Sequence, residues 1–313
     1  MTPRVQGATS RHELTVARDE VALAGSLWLP ADDPVAVVLM HPGSGPSDRD
    51  NDVYFPPIRE HLLGRSIAVC SFDKRGVGGS SGRWTDAGIV EQADDALACL
   101  EHVLGDERIR PPVGLFGHSQ GGWVVVEAAS RSEDAAFVVT NAGPGVSPGE
   151  QERWASRTNL ARAGLSADER EEADAYVARV LEWLRGGVSF GEVRAHVDSQ
   201  APPAAFERLG LPLLPDDAAT WGLFARIVDY DPRPALERIR VPLLALFGAE
   251  DRVTPVEESV AVYQAAVRPE LLTVRVFEGG DHRVLAGDPP RLADGYLETL
   301  SSFVEEAAVA RRV

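Results

Sequence analysis

The chain has 313 residues, 44% of them apolar and 25% charged, which suits one large α/β domain carrying an insertion, or two domains. Its net charge of −17 repels nucleic acid, so the summed field argues against a nucleic-acid-binding function. Two cysteines, Cys70 and Cys99, make no disulfide framework and read as buried thiols, and no run approaches the ~18 apolar residues that a membrane span requires.

The N-terminal stretch MTPRVQGATSRHE has no apolar signal core, so the expected placement is cytoplasmic. Residues 12–17 and 21–29 alternate apolar and polar, as a half-buried antiparallel pair does. VAVVLM (35–40) and IAVCSF (67–72) are apolar runs of the kind found in central strands, with a helix at 56–64 between them. Apolar residues recur at helical spacing from 86 to 104 and stop at Gly105. A strand at 113–116 follows. Residues 122–130 fit either element, because Val124, Val125 and Val126 favour strand. Another strand lies at 137–140.

From about 146 to 231 strand signals vanish. Helical stretches at 150–161, 167–185, 189–199 and 216–228 alternate with proline-rich breaks, and Trp154, Trp183 and Trp221 fall among them. The α/β alternation then resumes with a strand at 242–247, a helix at 256–266, a strand at 271–277 and a helix at 290–307. The expected architecture is an α/β core of residues 1–145 and 232–313, built on a mainly parallel, doubly wound sheet. Residues 146–231 form an all-helical insertion between the sixth and seventh strands. In such sheets ligands bind beyond the carboxyl ends of the strands.

Four segments match G-x-S-x-G: GGSSG at Ser80, GHSQG at Ser119, GVSPG at Ser147 and GVSFG at Ser189. At this glycine content roughly 0.2 matches are expected by chance, and glycine-rich turns raise that, so context must decide. A nucleophile elbow needs a strand ending at the serine, a helix starting at once, and a backbone N–H on the next residue to bind the oxyanion. Ser147 is followed by Pro148, which has no N–H. Ser189 has no strand before it. Ser80 lies in a glycine-rich loop that does not open a helix. Ser119 passes, with Gln120 as donor and with Gly117, Gly121 and Gly122 clearing space where strand and helix nearly collide. The same reasoning makes 122–130 a helix.

After Ser119 only His196 and His282 remain as bases. His196 falls on a polar helix face; His282 lies in EGGDHRV, beyond the strand at 271–277. The acid follows the preceding strand in GAEDRVTP, where Asp251 is favoured over Glu250 as the shorter side chain in a tight turn, with Asp281 a remote third. Ser119 then attacks a carbonyl, His282 moves the proton, and Asp251 holds the imidazole. The second oxyanion donor is expected in HPGSG: Pro42 has no N–H, so Gly43 is the first choice and Ser44 the reserve. His41 and His118 read as structural walls, His41 bracing the loop.

On these residues the chain resembles the α/β-hydrolase superfamily, in its serine esterase and acyl-hydrolase branch. HPGSG is similar to that family's oxyanion loop, FDKRGVGGSSG to its glycine-rich turn after the fourth strand, and GHSQGG, FGAEDRVTP and GGDH to the nucleophile, acid and histidine segments. GSGPSDRDND resembles dienelactone-hydrolase-like relatives, and the helical insertion resembles the family's cap. The resemblance implies that Ser80 is structural, as are Asp73 and Arg75, through ion pairs with loop carboxylates such as Asp48 or Asp50. It also implies a serine hydrolase of carboxylic esters or thioesters, acting on a small to medium apolar substrate. A C–C bond hydrolase, a lyase, a cofactor-free haloperoxidase or a peptidase on the same triad are the alternatives. Trp154, Trp221, Leu223 and Phe224 line the pocket or glue the cap to the core. No cofactor or metal is expected, and neither nucleic acid nor membrane as partner. A homodimer stays open. Lys74, the one lysine among the basic residues, reads as a trace of coding bias.

Overall fold

The structure, a computed structural model, describes residues 8–312; the first seven, part of the stretch read for a signal core, lie outside the described residues. Strands β1 (Ser10–Arg18) and β2 (Val21–Leu29) form the expected antiparallel pair. Then come β3 (Ala36–His41), α1 (Phe55–Gly64), β4 (Ile67–Phe72), α2 (Ile89–Leu104), β5 (Val113–His118), α3 (Gln120–Ala129) and β6 (Val138–Asn141). The next helices are α4 (Pro148–Arg162), α5 (Ala167–Arg185), α6 (Phe190–Asp198), α7 (Ala204–Leu209), α8 (Ala218–Ile227) and α9 (Arg233–Glu237). Finally come β7 (Leu243–Gly248), α10 (Val256–Ala266), β8 (Leu272–Phe277), the short β9 (Leu285–Ala286) and β10 (Arg291–Leu292), and α11 (Tyr296–Arg312).

The main sheet runs β1-β2-β4-β3-β5-β6-β7-β8, with β3 to β8 mutually parallel and the first two strands antiparallel. The chain winds outward from β3 to β4, then reverses past β3 to reach β5. With right-handed crossovers, that reversal sends successive helices to opposite faces. Two cores result. Phe55, Ile58 and Leu62 of α1 pack with Tyr296, Leu300 and Val304 of α11 on one face. Leu100 of α2, Val124 of α3 and Tyr263 of α10 pack on the other. A third cluster, including Leu160, Leu181, Phe206 and Trp221, belongs to the helices between β6 and β7. No helix among the described residues is long and apolar enough to cross a membrane.

Three expectations are corrected. Residues 84–86 form a separate 3₁₀ turn, so α2 begins at Ile89, where the Gly88 N–H donates to Glu91 Oε2 at 2.8 Å. The last helix begins at Tyr296 and not at 290, because residues 285–292 turn back as a hairpin and Pro289 and Pro290 carry no N–H. Helices α7 and α9, of six and five residues, are too short to leave a periodic signal.

Candidate active site

The reversal of winding makes β3 and β5 neighbours, with His41 in register with Gly117. The loop after β3 and the turn after β5 therefore lie side by side at the carboxyl end of the sheet. Ser119 joins β5 to α3 with φ 52° and ψ −120°, a strained backbone for a residue with a Cβ. The surroundings hold it there. A Cβ on Gly117 would meet the Gly121 carbonyl oxygen, one on Gly121 the carbonyl oxygens of His41 and Pro42, and one on Gly122 the Cα of Gly143. GHSQGG thus packs directly against the HPGSG loop, backbone to backbone.

Ser119 Oγ lies 2.9 Å from His282 Nε2, and His282 Nδ1 lies 2.9 Å from Asp251 Oδ2. Asp251 Oδ1 accepts the N–H groups of Val253 (2.7 Å) and Thr254 (2.9 Å), which pins the carboxylate. A carboxylate accepts only, so Nδ1 carries the hydrogen and Nε2 turns its lone pair toward the serine hydroxyl. The acid turn and the histidine loop are stitched together: the Glu250 N–H donates to the Gly280 carbonyl at 2.7 Å, and Gly248 has no Cβ to strike Gly280. Glu250 is exposed, and Asp281 Oδ1 accepts the N–H groups of Arg283 and Leu285 within its own turn.

The other three serines have structural work. Ser80 Oγ donates to the Asp73 carbonyl at 2.8 Å and accepts the Ala24 N–H at 2.9 Å, tying the glycine turn to β2. Ser147 and Ser189 are N-caps of α4 and α6. His196 is exposed, as read. The ion pairs expected of Asp73 and Arg75 form with other partners. Asp73 takes Arg49 (2.7 Å) and Arg75 takes Asp95 (2.6 Å), while Asp50 pairs with Arg59 at 2.6 Å.

In the loop expected to supply the second oxyanion donor, the Gly43 N–H donates to Asn51 Oδ1 at 3.1 Å, while Ser44, the reserve, borders the pocket over Ser119. Gln120, first residue of α3, has an N–H without an intrahelical acceptor. With Asn51 Oδ1 on Gly43, its Nδ2 donates to His118 Nδ1 at 3.0 Å, and His118 Nε2–H is left to donate to the His282 carbonyl at 3.4 Å. Asn51 and His118 therefore bridge the oxyanion loop to the histidine loop. Burial, then the neighbouring His282, hold His118 well below the usual histidine range. His41, whose Nε2–H donates to Gln92 Oε1 at 3.3 Å, is pushed down to about 3 by burial and by Lys74 beside it. Neither Asn51 nor Lys74 was legible as a site residue. Lys74 is buried against the oxyanion loop.

A pocket of about 650 Å³ opens over Ser44, Ser119 and Gln120 and runs under the helices that follow β6. Leu160, Val177, Leu181, Phe206 and Trp221 are among its walls, and Glu152 is the one charged residue among the described residues that line it. Phe224 lines it too; Trp154 and Leu223 do not. Gln151, Ala155 and Asn159 carry the pocket-facing row of α4, and Trp154 projects on the opposite side of that helix. Leu223 belongs instead to the core cluster that also holds the buried faces of α2 and α3.

The sequence profile of the serine aminopeptidase S33 family matches residues 34–290. Esterase EstD of Thermotoga maritima is 26% identical over 258 residues, 81% of this chain and 55% of that protein, so the chain spans about half of that relative's length. The 3-oxoadipate enol-lactonase 2 of Acinetobacter baylyi is 25% identical over 250 residues, covering 78% of this chain and 81% of that one. The Pyrococcus furiosus esterase Pf2001 superposes with a TM-score of 0.61 at 15% identity over 97% of this chain and 98% of that one, a likeness of fold. With that profile covering most of a chain folded on this strand order, the protein belongs to the serine aminopeptidase S33 family of α/β-hydrolase enzymes.

Proposed function

We propose that the chain hydrolyses carboxylic esters or thioesters of small molecules through an acyl-enzyme on Ser119. The observation that carries this reading is the unbroken hydrogen-bonded line from Ser119 Oγ through His282 to Asp251, opening on a mainly apolar pocket. Ser119 attacks the carbonyl carbon while His282 Nε2 accepts its proton. The tetrahedral oxyanion is met by the N–H groups of Gln120 and Ser44. His282 then returns the proton to the leaving alcohol or thiol, and a water repeats the sequence to release the acid. Asp251 keeps the imidazole in the right tautomer and stabilises its cation. The apolar walls favour an acyl or alcohol part with substantial hydrocarbon surface.

The family description and its peptidase meaning set the second reading. An aminopeptidase must hold its substrate's α-ammonium beside the scissile bond, which calls for acidic groups in the pocket. Glu152, the single charge among the described residues of the lining, lies exposed on α4. That favours esters. Turnover of p-nitrophenyl esters from acetate to laurate, set against amino-acid p-nitroanilides, separates the two. Ser119→Ala is expected to lose at least ~10³ in kcat, and a fluorophosphonate is expected to label Ser119 and none of Ser80, Ser147 or Ser189. Equal turnover by Ser119→Ala, or a label on another serine, ends this reading.

A further inference from the structure

Lys74 is the only lysine of the chain, two residues beyond the end of β4, and it is buried. Among the described residues its amino group bonds to uncharged oxygens alone. It donates to the Gly43 carbonyl, to Gln120 Oε1 at 2.9 Å and, more loosely, to the Gly45 carbonyl at 3.4 Å. Its sequence neighbours Asp73 and Arg75 pair elsewhere, with Arg49 and Asp95. Burial alone pushes its ammonium down to about 7. An amine buried without a carboxylate costs stability that an apolar side chain would not. Its burial there therefore calls for a use other than packing.

The geometry of the oxyanion loop supplies one. A trans peptide is planar, and its C=O and N–H point to opposite sides. An amine that holds the Gly43 carbonyl from behind turns the N–H of the same peptide, that of Ser44, to the front. The front is the pocket that Ser44 shares with Ser119 and Gln120. Asn51 Oδ1 fixes the preceding N–H, so the loop is gripped at two successive peptides. The same amine holds the side chain of Gln120, the residue that carries the other donor on the first turn of α3, and Gln92 Nε2 lies 3.5 Å from that side-chain oxygen. A bond donated to a peptide carbonyl also polarises that peptide and strengthens its N–H as a donor.

We propose that Lys74 is a positioning residue for the reaction at Ser119, locking the Gly43–Ser44 peptide to the first turn of α3 so that the two oxyanion donors form one rigid pair. The proposal rests on the serine-hydrolase reading above. Lys74→Met keeps the length of the side chain and removes the amine. Its kcat on a p-nitrophenyl ester is expected to fall about 10- to 100-fold with KM changed less than about twofold, because the oxyanion exists only in the transition state. The inhibition constant of a tetrahedral mimic, an alkyl boronic acid or a trifluoromethyl ketone, rises by the same factor. Fluorophosphonate titration counts the folded sites to which these values refer. A side chain that only fills space leaves Lys74→Met with wild-type kcat and wild-type inhibition, and that result overturns the proposal. If Lys74→Met does not fold, Gln120→Met makes the test from α3, since it removes the side-chain acceptor and retains the backbone donor. Unchanged kcat and inhibition in that variant overturn the proposal equally. Wild-type turnover by Ser119→Ala would instead overturn the underlying reading, whatever Lys74 does.

Discussion

His41 and His118 lie close to Ser119, yet neither hydrogen-bonds it; His118 is buried and His41 half-buried, both are held neutral, and each braces a loop. Neutrality has a measurable consequence for His41. Its folded value of about 3 lies below the ordinary 6.5, so between those two values the unfolded chain binds more protons than the folded one. Stability therefore falls as pH drops through that window, by up to about 1.4 kcal/mol per unit, or roughly 2 kcal/mol between pH 6.5 and 5. His41→Gln can still hydrogen-bond Gln92 and cannot titrate. Urea unfolding at pH 7 and pH 5 is expected to show a shallower loss in the variant than in the wild type; parallel losses would contradict the assignment. At this scale the sequence was a good guide to residues whose placement follows from chain position. Asp251 and His282 each follow the end of a strand, and the structure brings both to Ser119. It was a poor guide to contacts. The Gly43 N–H is taken by Asn51 Oδ1, eight residues on, and nothing local marks Asn51 as the acceptor.

Strand β5, helix α3 and the turn between them were legible because an apolar run meets a helix start across glycines that only a close approach requires. The approach is real: Gly121 faces the carbonyl oxygens of His41 and Pro42, and Ser119 is held at positive φ. The rival serines belong to elements too. Ser189 accepts the Glu192 N–H, and Glu192 Oε2 accepts the Ser189 N–H at 3.1 Å, so the pair closes the start of α6 as a capping box. Ser189→Ala is expected to cost about 1 kcal/mol of stability and to leave kcat unchanged, as thermal unfolding and ester turnover on one preparation will report. A fall in kcat without a loss of stability would remove the cap as its role. The misread start of α11 has an element-scale cause. Pairing of β9 with β10 uses residues whose helical periodicity continued from the true helix, and only the fold reveals that hairpin.

Across the whole molecule, the reversal between β3 and β5 is what sets the loop after β3 beside the turn at Ser119, and the helices after β6 close a pocket over both. Ala155 faces that pocket from α4, so Ala155→Trp fills it without touching Ser119, His282 or Asp251. The expected outcome is a fall in kcat/KM of about tenfold or more for a p-nitrophenyl octanoate, by loss of one to two kcal/mol of apolar contact, with the acetate little changed. An unaltered chain-length profile would place the substrate elsewhere. By itself the sequence determined what is periodic or local: buried strands as apolar runs, the α/β class, the helical stretch between two α/β halves, and a serine at a strand–helix junction. Only the tertiary structure decided what depends on segments meeting: the Gly43 N–H bonded to Asn51, Trp154 turned from the pocket, Arg49 and Asp95 as partners of Asp73 and Arg75, and Lys74 bonded to the Gly43 carbonyl. The reason is physical. Periodicity is read within one element, whereas Lys74 and Gln120 stand 46 positions apart and meet only because parallel strands bring their ends to one edge of the sheet.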